Sequence, residues 1–169
     1  VQAPALGFKD SIAHNAYEQA GLGPEDVSCA EVYDLSTALE LDWYENLGFC
    51  AEGEGARLVR DGVTALGGSK PVNASGGLAS FGEAIPAQAI AQVCELTWQL
   101  QGRSDGHQVE NAKVGLAINQ GLFGHGVGPP VVAVGIKQAL AGGDDGPLPV
   151  MVQRATLKDE VVPVERHAG

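Results

Sequence analysis

Residues 73–86 read Asn-Ala-Ser-Gly-Gly-Leu-Ala-Ser-Phe-Gly-Glu-Ala-Ile-Pro, and this stretch decides how the chain is read. Three glycines, two serines and a proline fall within 14 positions. Directly behind them runs the strongest helical pattern of the chain. There Ile90, Val93, Leu96 or Thr97, and Leu100 mark one apolar face. A glycine-rich loop that opens a helix brings backbone close to whatever lies above it. No Lys-Ser/Thr pair follows Gly76-Gly77, so the loop is not a phosphate-binding P-loop.

Working outward, residues 11–20 carry apolar positions at Ile12, Ala16 and Ala20, and Gly21 is a natural helix stop. Residues 23–26 (GPED) predict a turn, and residues 29–35 (CAEVYDL) a strand. Ser36 or Thr37 then caps a helix that runs to about Leu47, with Glu40 placed to complete a capping box. Residues 53–70 are glycine-rich and polar, with residues 56–59 as the ordered part. Residues 113–119 (KVGLAIN) and 131–136 (VVAVGI) predict strands on either side of a second glycine loop, 121–128 (GLFGHGVG). Residues 142–147 (GGDDGP) read as a linker, and residues 150–164 as two edge strands broken at 158–160. Helices alternating with strands predict an α/β layer fold.

Composition narrows the function classes. The chain has 169 residues and a formal charge of −11. Nucleic acid and anionic membranes call for basic patches, so neither is an expected partner. No run reaches the roughly 18 apolar residues of a membrane span. Three cysteines, Cys29, Cys50 and Cys94, form no C-x-x-C pair. Neither a disulfide framework nor a metal site is expected from them, and free thiols point to a reducing, cytoplasmic setting. No signal peptide is visible, and the absence of a starting Met suggests a piece of a longer chain. Glycine is the outlier, with 24 residues, about twice the usual share.

Several separated blocks together resemble a known family. They are Glu31-Val32-Tyr33-Asp34-Leu35, Glu40-Leu41, Tyr44-Glu45, Leu47-Gly48-Phe49-Cys50, residues 73–82, Ala91-Gln92-Val93-Cys94-Glu95-Leu96 and Trp98-Gln99-Leu100. In this order and spacing they resemble the C-terminal half of a thiolase-like protein. The type is that of sterol-carrier or nonspecific lipid-transfer proteins, akin to acetyl-CoA acetyltransferases. The resemblance covers roughly residues 11–126. It implies a thiolase-like layered αβα half over residues 1–136, followed by a tail, 137–169, of unassigned structure. It also implies coenzyme A thioesters as substrates or ligands, with no covalently bound cofactor. The nucleophilic Cys of thiolysis belongs to the N-terminal half, so none of these three cysteines is its counterpart.

Three family sites are altered in this sequence. Tyr33-Asp34-Leu35-Ser36 stands at the HDCF motif, so Tyr33 replaces His and Leu35 replaces the proton-handling Cys. Gly82-Glu83-Ala84 stands at the GHP motif, so Glu83 replaces the His that activates the nucleophile. Ile118-Asn119 stands at the late His-Asn pair and keeps only the Asn. Leu35 and Ile118 cannot move protons, and an ionised Glu only accepts hydrogen bonds. Glu83 would stabilise an oxyanion only if burial kept it protonated. A retro-aldol branch of thiolase-like proteins places Tyr at the usual His positions and works with an OB-fold partner. Tyr33 matches that pattern, and Glu83 departs from its second Tyr.

The candidate catalytic residues are therefore Tyr33, Glu83, Asn119 and His125. Gly76, Gly77, Gly82 and Gly121 are candidates for the substrate-binding floor. Each has a plainer reading: Tyr33 as a packing tyrosine, Glu83 as compensation of a helix dipole, Asn119 as a loop-closing residue, His125 as a surface histidine. Asp34 reads better as a cap than as a base. Trp43 and Trp98, at helical positions, read as core. The expected partners are an acyl-CoA or steroid-CoA ligand, and an N-terminal thiolase half or a second copy. A lone half would leave a layer uncovered. Three functions stay open: C–C bond chemistry on acyl-CoA thioesters, non-catalytic binding of such a thioester, and completion of a partner's site.

Overall fold

The computed structural model describes the backbone of residues 8–84, 87–120, 131–137 and 150–155, and the side chains of residues 13–84 and 87–119. Its elements in chain order are α1 (Phe8–Ala20), β1 (Cys29–Glu31), α2 (Thr37–Asn46), α3 (Gly55–Arg60), α4 (Gly77–Phe81), α5 (Ala87–Leu100), β2 (Val114–Gln120), β3 (Val131–Lys137) and β4 (Val150–Ala155). The sheet order is β1-β2-β3-β4. β1 pairs parallel to β2, with Glu31 opposite Ala117, while β2–β3 and β3–β4 are antiparallel. β4, drawn from residues 137–169, thus lies in the same sheet as β1–β3. The 142–147 segment lies outside the described residues. No described helix is long and apolar enough to cross a membrane.

Strand alternation sorts the core onto two faces. Ala30 and Val32, with Leu116 and Ile118 of β2, join Ala13, Trp43, Tyr44 and Leu47 on the side of α1 and α2. Cys29 and Ala117 point the other way, to Leu96 and Leu100 of α5. The result is an α/β layered fold with helices on both faces of the sheet.

Several local expectations change in the structure. β1 stops at Glu31, short of the predicted Leu35, because the Val32 N–H turns to the Asn73 side chain (2.8 Å) and leaves the strand ladder. Ser36 caps α2 by accepting from the Leu39 N–H, which puts Glu40 one position too far along for a capping box. Glu40 instead accepts from the Tyr44 hydroxyl at 2.7 Å and the Asn73 amide at 3.4 Å. In α5 the predicted apolar face does not face the core as a unit. Ile90 is 62% exposed, while Gln88, Gln92, Glu95 and Gln99 are buried with Leu96 and Leu100. Trp43 is fully buried, but Trp98 is 47% exposed.

The glycine loop is zipped onto the end of β1. Ala30 N–H donates to Pro71 O, Asn73 N–H to Ala30 O, and the Ser75 N–H and hydroxyl both donate to Glu31. Leu78 N–H donates to Asp34 Oδ1 at 2.9 Å, which caps the short α4 from another part of the chain. Gly77 has φ +62, and a Cβ there would run into the Asp34 carboxylate. Gly77→Ala is therefore expected to destabilise the fold by about 1–3 kcal/mol. Urea unfolding checks this, and unchanged stability would contradict it.

Glu31 is 1% exposed. Burial pushes its carboxyl up to about 7, against the opposing pull of the Ser75 hydrogen bonds. A carboxyl raised in the folded state binds its proton more tightly than in the unfolded chain. Its stabilising contribution is complete below the ordinary value of 4.5 and is lost as pH rises through about 7. Glu31→Gln keeps the acceptor and cannot ionise. The variant is expected to lose less stability than the parent between those two pH values. Identical pH profiles would contradict the buried-acid account.

Candidate active site

The candidate site lies where the two parallel strands end. Tyr33 follows β1 by two residues, and Asn119 follows Ala117, the register partner of Glu31, by two. Both therefore sit at the carboxyl edge of the parallel pair, the edge where open α/β sheets present ligand crevices. The loop 71–78, docked on β1, carries the chain on to α4, Gly82 and Glu83.

Tyr33 and Glu83 are joined directly. The Tyr33 hydroxyl donates to Glu83 Oε1 at 2.5 Å, across 50 residues of sequence. Tyr33 is 2% exposed, so its ring is core while its hydroxyl is engaged at the site. Burial, then the hydrogen bond and charge of Glu83, push the phenol up to about 12. Tyr33 is therefore a protonated donor at neutral pH. Glu83 is exposed. As a hydrogen-bond acceptor it orients the phenol and offers a place for the phenol's proton.

The glycines supply shape. Gly76, Gly77 and Gly82 have φ of +89, +62 and +81. Their N–H groups are spent within the loop, on Asn73 O, Ser75 Oγ and Leu78 O respectively. They allow close backbone approach, and their amides are not free to grip a ligand. Asn119 donates from Nδ2 to Gln92 Oε1 of α5 at 3.3 Å, while Gln92 donates to Ile118 O. Its amide thus ties the end of β2 to α5. Gly121 and His125 lie outside the described residues. Leu35 (47% exposed) and Phe81 (42% exposed) stand close in sequence to Tyr33 and Glu83, and both offer apolar surface. Among the described residues no group of three or more His, Cys, Asp or Glu side chains is arranged to hold a metal ion.

Sequence reasoning missed two features around the site. Glu31, which the sequence placed only within a strand, is the buried acceptor for Ser75. The polar stripe Gln88, Gln92, Glu95, Gln99 was legible as an i, i+4, i+7, i+11 face, and apolar periodicity drew attention away from it. Its members bond inward: Glu95 accepts from Gln99 at 2.8 Å and meets His107 at 3.0 Å, and Gln99 accepts from the Val109 N–H.

The comparisons with known proteins agree with this architecture. Residues 5–128 match the thiolase C-terminal domain-like family. Sterol carrier protein 2 of Rattus norvegicus is 46% identical over 115 residues, 68% of this chain and 21% of that protein. An acetyl-CoA acetyltransferase of Methanothermobacter thermautotrophicus is 42% identical over 114 residues, 68% of this chain and 30% of that protein. A solved structure titled as an Ltp2-ChsH2(DUF35) aldolase superposes with a TM-score of 0.59 at 33% identity, covering 65% of this chain and 28% of that chain. The chain thus spans about a fifth to a third of these relatives. With the family's blocks in order and its layered fold in place, the chain belongs to the thiolase C-terminal domain-like family.

Proposed function

We propose that this chain is the C-terminal part of a thiolase-like lipid-transfer or acyltransferase-type protein. In this reading it acts with an N-terminal half on acyl-CoA thioesters, and Tyr33 and Glu83 serve the making or breaking of a carbon–carbon bond. The observation that carries the reading is the Tyr33–Glu83 hydrogen bond, which joins the two positions where family histidines stand.

The pair suits aldol chemistry better than thiolysis. Thiolysis needs donors aimed at a thioester oxyanion, and a carboxylate at position 83 is an acceptor. In the retro-aldol direction, the β-hydroxyl of a hydroxyacyl thioester gives its proton to the Tyr33 oxygen while the Tyr33 proton passes to Glu83. The C–C bond breaks, a carbonyl forms at the former carbinol carbon, and the electron pair stays on the thioester fragment as its enolate. Return of the proton from Glu83 through Tyr33 completes a shorter acyl thioester and regenerates the pair. The likeness to an Ltp2-ChsH2(DUF35) aldolase supports this direction. The apolar surface of Leu35 and Phe81 suits a lipid or steroid chain.

Partner dependence has its own support. On α5, Ile90, the partly exposed Cys94 and Trp98 fall at i, i+4, i+8 and present an apolar stripe to solvent. An N-terminal half, an OB-fold subunit or a second copy would cover it. A charge of −11 does not attract an anion, so recognition of coenzyme A then rests on local backbone N–H groups or on residues outside this chain.

The test is turnover of a 3-hydroxyacyl-CoA by the full-length protein with its partner. Tyr33→Phe and Glu83→Gln are each expected to lower turnover by about 10²–10⁴-fold, with thioester affinity little changed. Unchanged turnover in both variants would contradict the assignment. Tight thioester binding without product, insensitive to both substitutions, would replace it with the binding-module reading.

A further inference from the structure

We infer that Gln88 is a positioning residue that sets Glu83 against Tyr33. The inference deepens the reading of the Tyr33–Glu83 pair and rests on it. Glu83 is an exposed residue on a short connection, yet its carboxylate meets a buried phenol at 2.5 Å. A free loop would give up that contact to solvent and to its own conformational entropy. Something must hold the backbone on both sides of it.

On one side, Gly82 is fastened to α4, its N–H donating to Leu78 O at 2.8 Å. On the other side, Ala84 is held twice by one residue. Gln88 Oε1 accepts the Ala84 N–H at 2.9 Å, and the Gln88 N–H donates to Ala84 O at 3.0 Å. Both backbone polar groups of Ala84, the residue next to Glu83, are thereby satisfied by Gln88. Gln88 is itself 2% exposed and is the second residue of α5, which packs on the sheet through Leu96 and Leu100. The chain of restraint runs from the core through α5 and Gln88 to Ala84 and Glu83, and ends on the Tyr33 hydroxyl.

Among the described residues only the carbonyl end of the Gln88 side chain is used, and its Nε2 meets no hydrogen-bond partner there. That makes the acceptor separable from the rest of the residue. Gln88→Met keeps the length and removes the acceptor. Gln88→Glu keeps an acceptor in the first turn of a helix, where negative charge is tolerated.

The readout is the ring carbon that bears the hydroxyl, labelled with ¹³C in all three tyrosines and observed by NMR on the chain itself. Tyr17, bonded to Leu47 O, and Tyr44, bonded to Glu40, serve as internal references. Gln88→Met is expected to move the Tyr33 signal to the position it takes in Glu83→Ala and to leave Tyr17 and Tyr44 in place. Gln88→Glu is expected to keep the Tyr33 signal at its parent position. A Tyr33 signal unmoved in Gln88→Met, moved in Gln88→Glu, or moved only together with Tyr17 and Tyr44 would overturn the positioning role. A signal unmoved in Glu83→Ala would show that the hydrogen bond is absent, and the inference would fall with it. None of these readings involves substrate, so failure of the proposed reaction is registered separately, by turnover.

Discussion

The docking of the 71–78 loop along the end of β1 is the constraint on which the rest of this structure depends. A strand that stops after three residues leaves its next N–H and C=O groups in need of partners. The loop pairs with the free edge of β1 at Ala30, through Pro71 O and the Asn73 N–H, and Asn73 Oδ1 accepts the Val32 N–H just past the strand; Ser75 and Leu78 donate to the side chains of Glu31 and Asp34. A single parallel bridge, Ala30 to Val72, marks where the loop lies beside the strand. Everything chemically interesting follows from this zipper. It turns the chain after Glu31 so that Tyr33 leaves the ladder with its ring in the core. It also starts α4 at Gly77, which delivers Gly82 and Glu83 back over Tyr33.

The electrostatic character of the site follows from the same geometry. The loop is received by carboxylates: Glu31 takes Ser75, Asp34 takes Leu78, and Glu40 takes Tyr44 and Asn73. Each meets hydrogen-bond donors, which is how a fold tolerates acids at low exposure. No cation stands among these partners; burial raises Glu31 and Glu40 alike, and the charge of Asp34 adds to both. Tyr33 answers to the same environment and holds its proton. In the proposed reaction such a site would move protons between a phenol and a carboxylate, whereas donors to an oxyanion would be needed for thiolysis.

Much of the fold was legible in the sequence, and the reasons for the failures are physical. α1, α2 and α5 follow from periodicity and from stops such as Gly21 and Gly48. β2 and β3 follow from apolar runs. Tyr33 and Glu83 could be paired only through family resemblance, because 50 residues separate them and no local pattern announces a tertiary hydrogen bond. β1 was overextended because Val32 and Tyr33 have strand-like propensity, while the competing bond from Asn73 is invisible to propensity. The α5 face was misjudged because its buried side is largely polar and its outer side carries Ile90 and Trp98. The substrate-floor glycines were recognised for their backbone freedom, but the use of their N–H groups within the loop depends on coordinates.

The central claim is that the loop is fixed to β1 as firmly as a strand would be. Native-state hydrogen exchange of the Val32 and Leu78 amides tests it most directly. Both N–H groups bond to side chains of the zipper, so local opening of the loop exposes them before the core unfolds. The account predicts protection at the level of the Leu116 and Ile118 amides in β2, with Asn73→Ala releasing Val32 and Asp34→Ala releasing Leu78. Exchange of both amides in the parent protein as fast as in the exposed turn at residues 105–106 would contradict it.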